Sequence, residues 1–295
     1  MRKQLQDYLK KRVQECISLS RHSEDQDEKI YKKKASLNER QAEMVKVKAK
    51  GYIDKVEKKQ EDVEHVYYHV HLQYLIKQKR LILLEEEIEA RQAEFYKGVL
   101  VDDREINPFI IEETSRELEI PQEEFTDNNI RAEFQYDRQK AVQYAERWWN
   151  SYNPAYKKFE VDCTNYISQC LHQGGASMRG HPNRSHGWWM QKNNWSYSWS
   201  VAHAFRLFLG TSKKGLRAKA VSSPEELLLG DVICYDFEGD GRFNHTTIVT
   251  GKDANGMPLV NAHTANSRMR YWAYEDSTAY TPNIQYKFFT IVDDA

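Results

Sequence analysis

Hydrophobic and polar positions in the first 43 residues repeat with helical spacing. Apolar side chains recur every three or four positions there and are separated by Lys, Gln, Arg and Asp. The repeat comprises Leu5, Leu9, Val13, Cys16 and Ile17. This spacing places them on one face of an amphipathic helix. We therefore expect helical structure that packs on a neighbouring sheet.

The period then changes to two. Apolar residues alternate with lysines over 45–49 and with mostly polar residues over 66–76. Alternation of this kind predicts strands with one buried face. Residues 81–88 and 93–101 are further strand candidates. The first domain, residues 1–110, is accordingly predicted to combine helix with an antiparallel sheet.

Residues 111–133 contain Pro121 and many glutamates, and we interpret them as a linker. The second domain, residues 134–295, has two predicted helices, over 137–149 and 161–173. Strands follow over 231–237, 245–250, 259–264 and 285–292, with a glycine-containing hairpin turn at 253–256. The predicted fold class is therefore α+β in both domains.

Composition limits the classes of function that the chain could have. The 295 residues suit two domains, and the formal net charge of -1 gives no strong attraction to nucleic acid. The chain as given has no apolar run typical of a signal peptide or a membrane span, which favours a cytoplasmic protein. The four cysteines form no C-x-x-C pair, so we expect no zinc site and no disulfide framework. We also expect no cofactor.

One cysteine stands where a nucleophile is expected. Cys163 follows Asp162 at the start of the second predicted helix of this domain. Free N–H groups and the helix dipole stabilise a thiolate at that position and can bind an oxyanion. The alternative is a buried structural cysteine, the common role of this residue type.

Two later strands supply the partners of a catalytic triad. His245 opens a strand after a glycine-containing turn, and imidazole is suited to deprotonate a thiol near neutral pH. On the next strand Asn261 and His263 alternate with Val260 and Ala262, so they share a face. Either could orient His245, and we favour His263 over Asn261.

These segments resemble those of papain-like cysteine amidases. Residues 162–167 read Asp-Cys-Thr-Asn-Tyr-Ile, residues 230–235 read Gly-Asp-Val-Ile-Cys-Tyr, and Asn244-His245 starts the histidine strand. The sequence of residues 162–171, together with His-Thr at 263–264, is similar to that of the amidase domain found in Bacillus-type bacteria. That domain is related to NlpC/P60 peptidases. The resemblance extends over about residues 134–293.

This resemblance implies a papain-like (NlpC/P60-like) fold and cleavage of amide bonds, often in peptidoglycan peptides, by Cys and His without a metal. It implies an acyl-enzyme on Cys163, with Asp162 supporting the turn and Tyr152 or Tyr156 as candidate oxyanion tyrosines. A cysteine acyltransferase would use the same residues. The alternative from another class is a glycopeptide-binding module that has kept the fold but lost turnover.

The second domain contains a tryptophan-rich polar loop. Its aromatic residues could line a groove for a peptide or glycopeptide substrate, or they could cover the core. The four are Trp188, Trp189, Trp195 and Trp199. The first domain is expected to offer a docking surface for a protein partner.

Overall fold

The computed structural model describes residues 1–18, 27–109 and 134–293. Contacts divide these residues into two compact units. The first comprises the described residues within 1–108, 253–257 and 265–280, and the second comprises those within 109–252, 258–264 and 281–295. The predicted linker, 111–133, lies outside the described residues.

Two helices and five strands form the first unit. The helices are α1 (Arg2–Ile17) and α2 (Glu28–Glu39), and the strands are β1 (Ala42–Gln60), β2 (Val63–Gln78), β3 (Leu81–Tyr96), β4 (Val99–Glu105) and β11 (Ser267–Tyr271). β1, β2, β3 and β11 are neighbours in that order, and β4 also pairs with β3. The predicted helix and antiparallel sheet are thus confirmed.

The alternation predicted for 66–76 is confirmed in β2, where every second side chain is buried. The apolar stripe predicted along the first helix is only partly buried. α1 buries Leu5 and Cys16 but also Arg12, whereas Ile17 is 48% exposed. Arg12 is buried because its guanidinium donates to the carboxylate of Glu89, with 2.8 Å between Nη1 and Oε2.

The sequence did not indicate that two C-terminal segments belong to the first unit. β11 pairs with β3, with Ser267 opposite Glu87. The turn over 253–257 is held by Gln78, whose side-chain amide donates to Asp253 at 3.2 Å and whose carbonyl oxygen accepts from the Ala254 backbone at 2.9 Å. The first unit is therefore not contiguous in sequence, unlike the predicted domain 1–110.

The second unit has helices first and an antiparallel sheet afterwards, as predicted. Its helices are α3 (Arg138–Trp148), α4 (Cys163–Gln173), α5 (Tyr197–Ser200) and α6 (Ala202–Thr211). Two short strands, β5 (Met190–Gln191) and β6 (Asn194–Trp195), pair with each other. The main strands are β7 (Arg217–Val221), β8 (Val232–Asp236), β9 (His245–Lys252), β10 (Pro258–Ala262) and β12 (Gln285–Val292), in the order β10-β9-β8-β12-β7.

The core of the second unit lies between α4 and one face of this sheet. Tyr166, Ile167 and Leu171 of α4 are fully buried and belong to the same apolar cluster as Val232 and Ile248. Because side chains alternate along a strand, Cys234 and Thr246 share this face with Val232 and Ile248. We call it the α4 face.

Candidate active site

Cys163 is the first residue of α4, two residues after the predicted helix start at 161. Its side chain is 2% exposed. The sulfur lies 3.7 Å from Thr164 Oγ1, and Thr164 Oγ1 lies 3.2 Å from Thr246 Oγ1. The thiol is therefore on the α4 face, among threonine hydroxyl groups.

The thiol does not have the lowered pKa expected at a helix start. Burial raises the pKa of Cys163 above its ordinary value, while hydrogen bonds with Thr164, Thr246 and Thr264 lower it part of the way back. Desolvation disfavours the charged form of an acid, and here it outweighs the N-terminal position. The resting side chain is a protonated thiol near neutral pH.

Asp162 and His263 form a buried pair next to this cysteine. Asp162 Oδ2 lies 2.8 Å from His263 Nδ1, and the side chains are 1% and 3% exposed. Asp162 Oδ1 accepts from the Phe159 backbone and from the Asn165 side chain, each at 2.9 Å. The carboxylate is thus held from both oxygens, and it fixes one edge of the imidazole.

The other edge of His263 is also engaged. Its Nε2 donates to the Trp148 carbonyl at 2.7 Å, and its ring stacks on Tyr166 with 3.9 Å between the centroids. A carbonyl oxygen can only accept, so Nε2 carries a hydrogen in this arrangement. The Asp162 contact requires a second proton between the carboxylate and Nδ1.

His245 lies on the opposite face of the sheet from Cys163. It pairs with Tyr235 across β8 and β9, and its ring contacts Phe109, Tyr235 and Phe237. Thr246, the next residue, points to the α4 face and to Cys163. Adjacent residues of a strand project to opposite sides. The predicted side-by-side arrangement of Cys163 and His245 is therefore not found in this structure.

Asn261 shares the α4 face but has other partners. Its side-chain amide donates to Glu146 at 2.8 Å, and its carbonyl oxygen accepts from the Thr250 hydroxyl at 2.8 Å. It thus ties β10 to β9 and to α3. The structure brings Cys163, Asp162 and His263 together, and it places Asn261 in a supporting bond network.

Comparison with known proteins identifies the family of the chain. The family model described as "Putative amidase domain" matches residues 135–289, which include the whole Cys163, Asp162 and His263 cluster. The chain belongs to this amidase-domain family. An uncharacterized protein of Bacillus subtilis strain 168, YhbB, is 53% identical over 268 residues, covering 90% of this chain and 86% of the relative. No solved structure matches.

Sequence reasoning missed one residue of this cluster. Thr264 Oγ1 accepts hydrogen bonds from the backbone N–H groups of Asp162 and Cys163, each at 3.2 Å. Its hydroxyl also bonds to the thiol. Those two N–H groups were expected to be free for an oxyanion, and in this structure they bind Thr264. The His-Thr dipeptide at 263–264 was the available signal, but only its histidine was interpreted.

The tryptophans of the loop are mostly core residues. Trp188 and Trp189 are 1% exposed and Trp199 is fully buried, so these three cover the core and do not line a groove. Trp195 is half-buried, and the Lys157 ammonium lies 4.5 Å from its ring centroid.

The two candidate tyrosines flank the Asp162–His263 pair. Tyr152 meets the His263 ring edge-on, with 4.9 Å between centroids, and Tyr156 stacks on Trp199. Both line a crevice that reaches Asp162 and His263.

The described residues contain no group of three or more His, Cys, Asp or Glu side chains arranged to hold a metal. The described helices also include none long and apolar enough to cross a bilayer.

Proposed function

We propose that this protein is a cysteine-dependent amide hydrolase with Cys163 as its nucleophile. Membership of the amidase-domain family supports amide hydrolysis as the reaction. The observation that carries the cysteine assignment is the position of the thiol. It lies at the first residue of α4, directly after a buried aspartate that holds an imidazole at 2.8 Å.

His263 is the imidazole we assign to proton transfer. A carboxylate bonded to Nδ1 is the arrangement that orients a catalytic histidine, and Asp162 supplies it here. Nε2 of His263 bonds to the Trp148 carbonyl in this structure, so His263 must leave that contact before Nε2 can reach the thiol. His245 would have to turn from one face of β9 to the other. Catalytic hydrogen bonds often tighten only when substrate binds, so the resting contact does not exclude His263.

The reaction follows from these roles. His263 first leaves the Trp148 carbonyl and releases its Nε2 proton to solvent, which makes the imidazole neutral. Nε2 then takes the thiol proton as sulfur attacks the amide carbonyl, and Asp162 holds the imidazolium. The imidazolium then protonates the leaving amine, which leaves a thioester on Cys163. Water, deprotonated by His263, cleaves the thioester to release the acid and restore the thiol. The raised pKa of Cys163 suits proton removal during attack better than a preformed thiolate.

The substrate class we propose is a peptide or glycopeptide of peptidoglycan type, as the resemblance to NlpC/P60 enzymes implies. An acyltransferase would replace water by an amine at the last step. A binding module would retain the crevice without turnover.

The test is a digest of bacterial cell-wall peptides incubated with the full chain in water enriched in oxygen-18. We expect cleaved amides that carry the heavy oxygen at the new carboxylate. Cys163→Ala and His263→Asn should each lose cleavage at least about 100-fold, the scale of a lost acid–base group. His245→Asn is the matched imidazole control and should retain most of the activity.

Three outcomes would contradict parts of this proposal. Full cleavage by Cys163→Ala would exclude the nucleophile. Loss with His245→Asn but not with His263→Asn would return the role of base to His245. New amides without heavy oxygen would indicate acyl transfer instead of hydrolysis.

A further inference from the structure

A crevice in the second unit opens beside the Asp162–His263 pair. Aromatic side chains of Trp148, Tyr152 and Tyr156 form part of its lining. Asp162 and His263 also line it, and both are almost fully buried. The crevice therefore leads from solvent to the imidazole that we assign to proton transfer.

Two lysines at the mouth of this crevice form no ion pair with any of the described residues. Lys157 and Lys158 line it and are exposed. The Lys158 ammonium lies 3.9 Å from the Tyr152 ring centroid, and that of Lys157 lies 4.5 Å from Trp195. Both charges are thus available to a ligand.

The lysine-bearing loop is fixed relative to the nucleophile. The side-chain amide of Asn165 donates to the Lys157 carbonyl and to Asp162, each at 2.9 Å. Trp199 in turn donates to the Asn165 carbonyl oxygen at 2.8 Å. Asn165 lies in the first turn of α4. The backbone that carries Lys157 is therefore anchored to the helix that begins with Cys163.

The neutral side-chain amides in the crevice wall already form hydrogen bonds within the protein. Gln169 accepts from the Tyr144 hydroxyl at 2.6 Å, and Asn153 donates to the same hydroxyl at 2.9 Å. These bonds link the two amides through one hydroxyl group, and neither amide carries a charge. Charge recognition therefore falls to Lys157 and Lys158.

We infer that this crevice is a subsite for a carboxylate of the amide substrate, bound by Lys157 and Lys158. The link to catalysis rests on the proposed function, whereas carboxylate binding can be tested without turnover. Two exposed ion pairs should favour an acidic ligand over its neutral analogue by between about twofold and thirtyfold. The preference should weaken as salt rises, because exposed charges are screened.

The experiment uses the full chain carrying Cys163→Ala, so that no probe is consumed. N-acetylglutamate N-methylamide and N-acetylglutamine N-methylamide are titrated by calorimetry at low and high salt. We expect the glutamate probe to bind more tightly, by about tenfold at low salt. Lys157→Met/Lys158→Met should abolish this difference and leave binding of the glutamine probe unchanged. Lys213→Met/Lys214→Met, an exposed lysine pair elsewhere in the unit, should leave the difference intact.

Equal affinity for both probes, or no binding of either, would overturn the inference. A preference that survives Lys157→Met/Lys158→Met would overturn it as well. N-acetylphosphoserine N-methylamide serves as the phosphate probe. Strong binding of it alone would overturn the carboxylate assignment. Failure of the proposed function is a separate result, since it would appear as absent amide cleavage while the affinity difference between the probes persists.

Discussion

Replacing Thr264 by Val tests the hydroxyl group that closes the start of α4. The side chains have nearly the same shape and are both branched at Cβ. The replacement therefore leaves the strain of the positive φ at this residue, 79°, largely unchanged. What changes is the hydroxyl, which accepts from two backbone N–H groups and donates to the Cys163 thiol.

The expected loss of unfolding free energy in Thr264→Val can be estimated from these contacts. Each backbone N–H left without an acceptor costs about 1–3 kcal/mol when buried. Both bonds here are partly buried and 3.2 Å long, so we take about 1 kcal/mol for each. Thr264→Val should therefore lower the free energy of unfolding by about 2 kcal/mol. It should also raise the pKa of the thiol further, because one of the hydrogen bonds that lower it is lost.

Urea unfolding followed by tryptophan fluorescence measures the first effect, since six of the seven tryptophans lie in the second unit. The pH dependence of Cys163 alkylation by iodoacetamide measures the second. Thr264→Ser keeps the hydroxyl and should remain within about 0.5 kcal/mol of the parent protein. A Thr264→Val protein as stable as the parent, with an unshifted alkylation profile, would refute this account of Thr264.

Three further predictions concern stability. Asp162→Ala should cost about 3–5 kcal/mol because it leaves the buried partners of the carboxylate unpaired. Asp162→Asn, which can still bond to a neutral His263, should cost clearly less in the same urea titration; equal losses would argue against the buried pair. Burial raises the pKa of Glu105 from 4.5 to about 7, so the folded chain binds a proton that the unfolded chain has released. The free energy of unfolding should then fall as pH rises between these values, by at most about 3 kcal/mol, and Glu105→Gln should remove that slope. A slope unchanged in Glu105→Gln would exclude this residue as its source. Trp199→Ala should cost about 3–5 kcal/mol, as expected of a core residue, whereas a groove residue would cost little.

Local patterns in the sequence were sufficient to predict elements whose periodicity is strong. The alternation of residues 66–76 yielded β2 because one face of that strand is buried along its length. The start of α4 at Cys163 followed from a polar segment that precedes an apolar helical stripe. Both features depend on residues that are close in sequence, so the local hydrophobic pattern is enough to predict them.

The arrangement of the site depended on contacts distant in sequence. Asp162 and His263 are 101 residues apart, and no local pattern specifies that they meet. Alternation along β9 indicated that His245 and Thr246 face opposite ways, but not which face α4 covers. The burial of Trp188 and Trp199 likewise follows from packing against each other and against α4. The Asp162–His263 pair, the sheet face that α4 covers and the burial of the two tryptophans all depend on tertiary packing.

The central claim is that Cys163 forms an acyl-enzyme with an amide substrate. Its most direct test is to mix the full chain with a cell-wall peptide digest, quench with acid within a single turnover, and map the acyl group by peptide mass spectrometry. The account predicts a thioester on the peptide that contains Cys163, absent from Cys163→Ala and strongly reduced in His263→Asn. An acyl group on another residue, or amide cleavage with Cys163 unmodified at every time point, would contradict it.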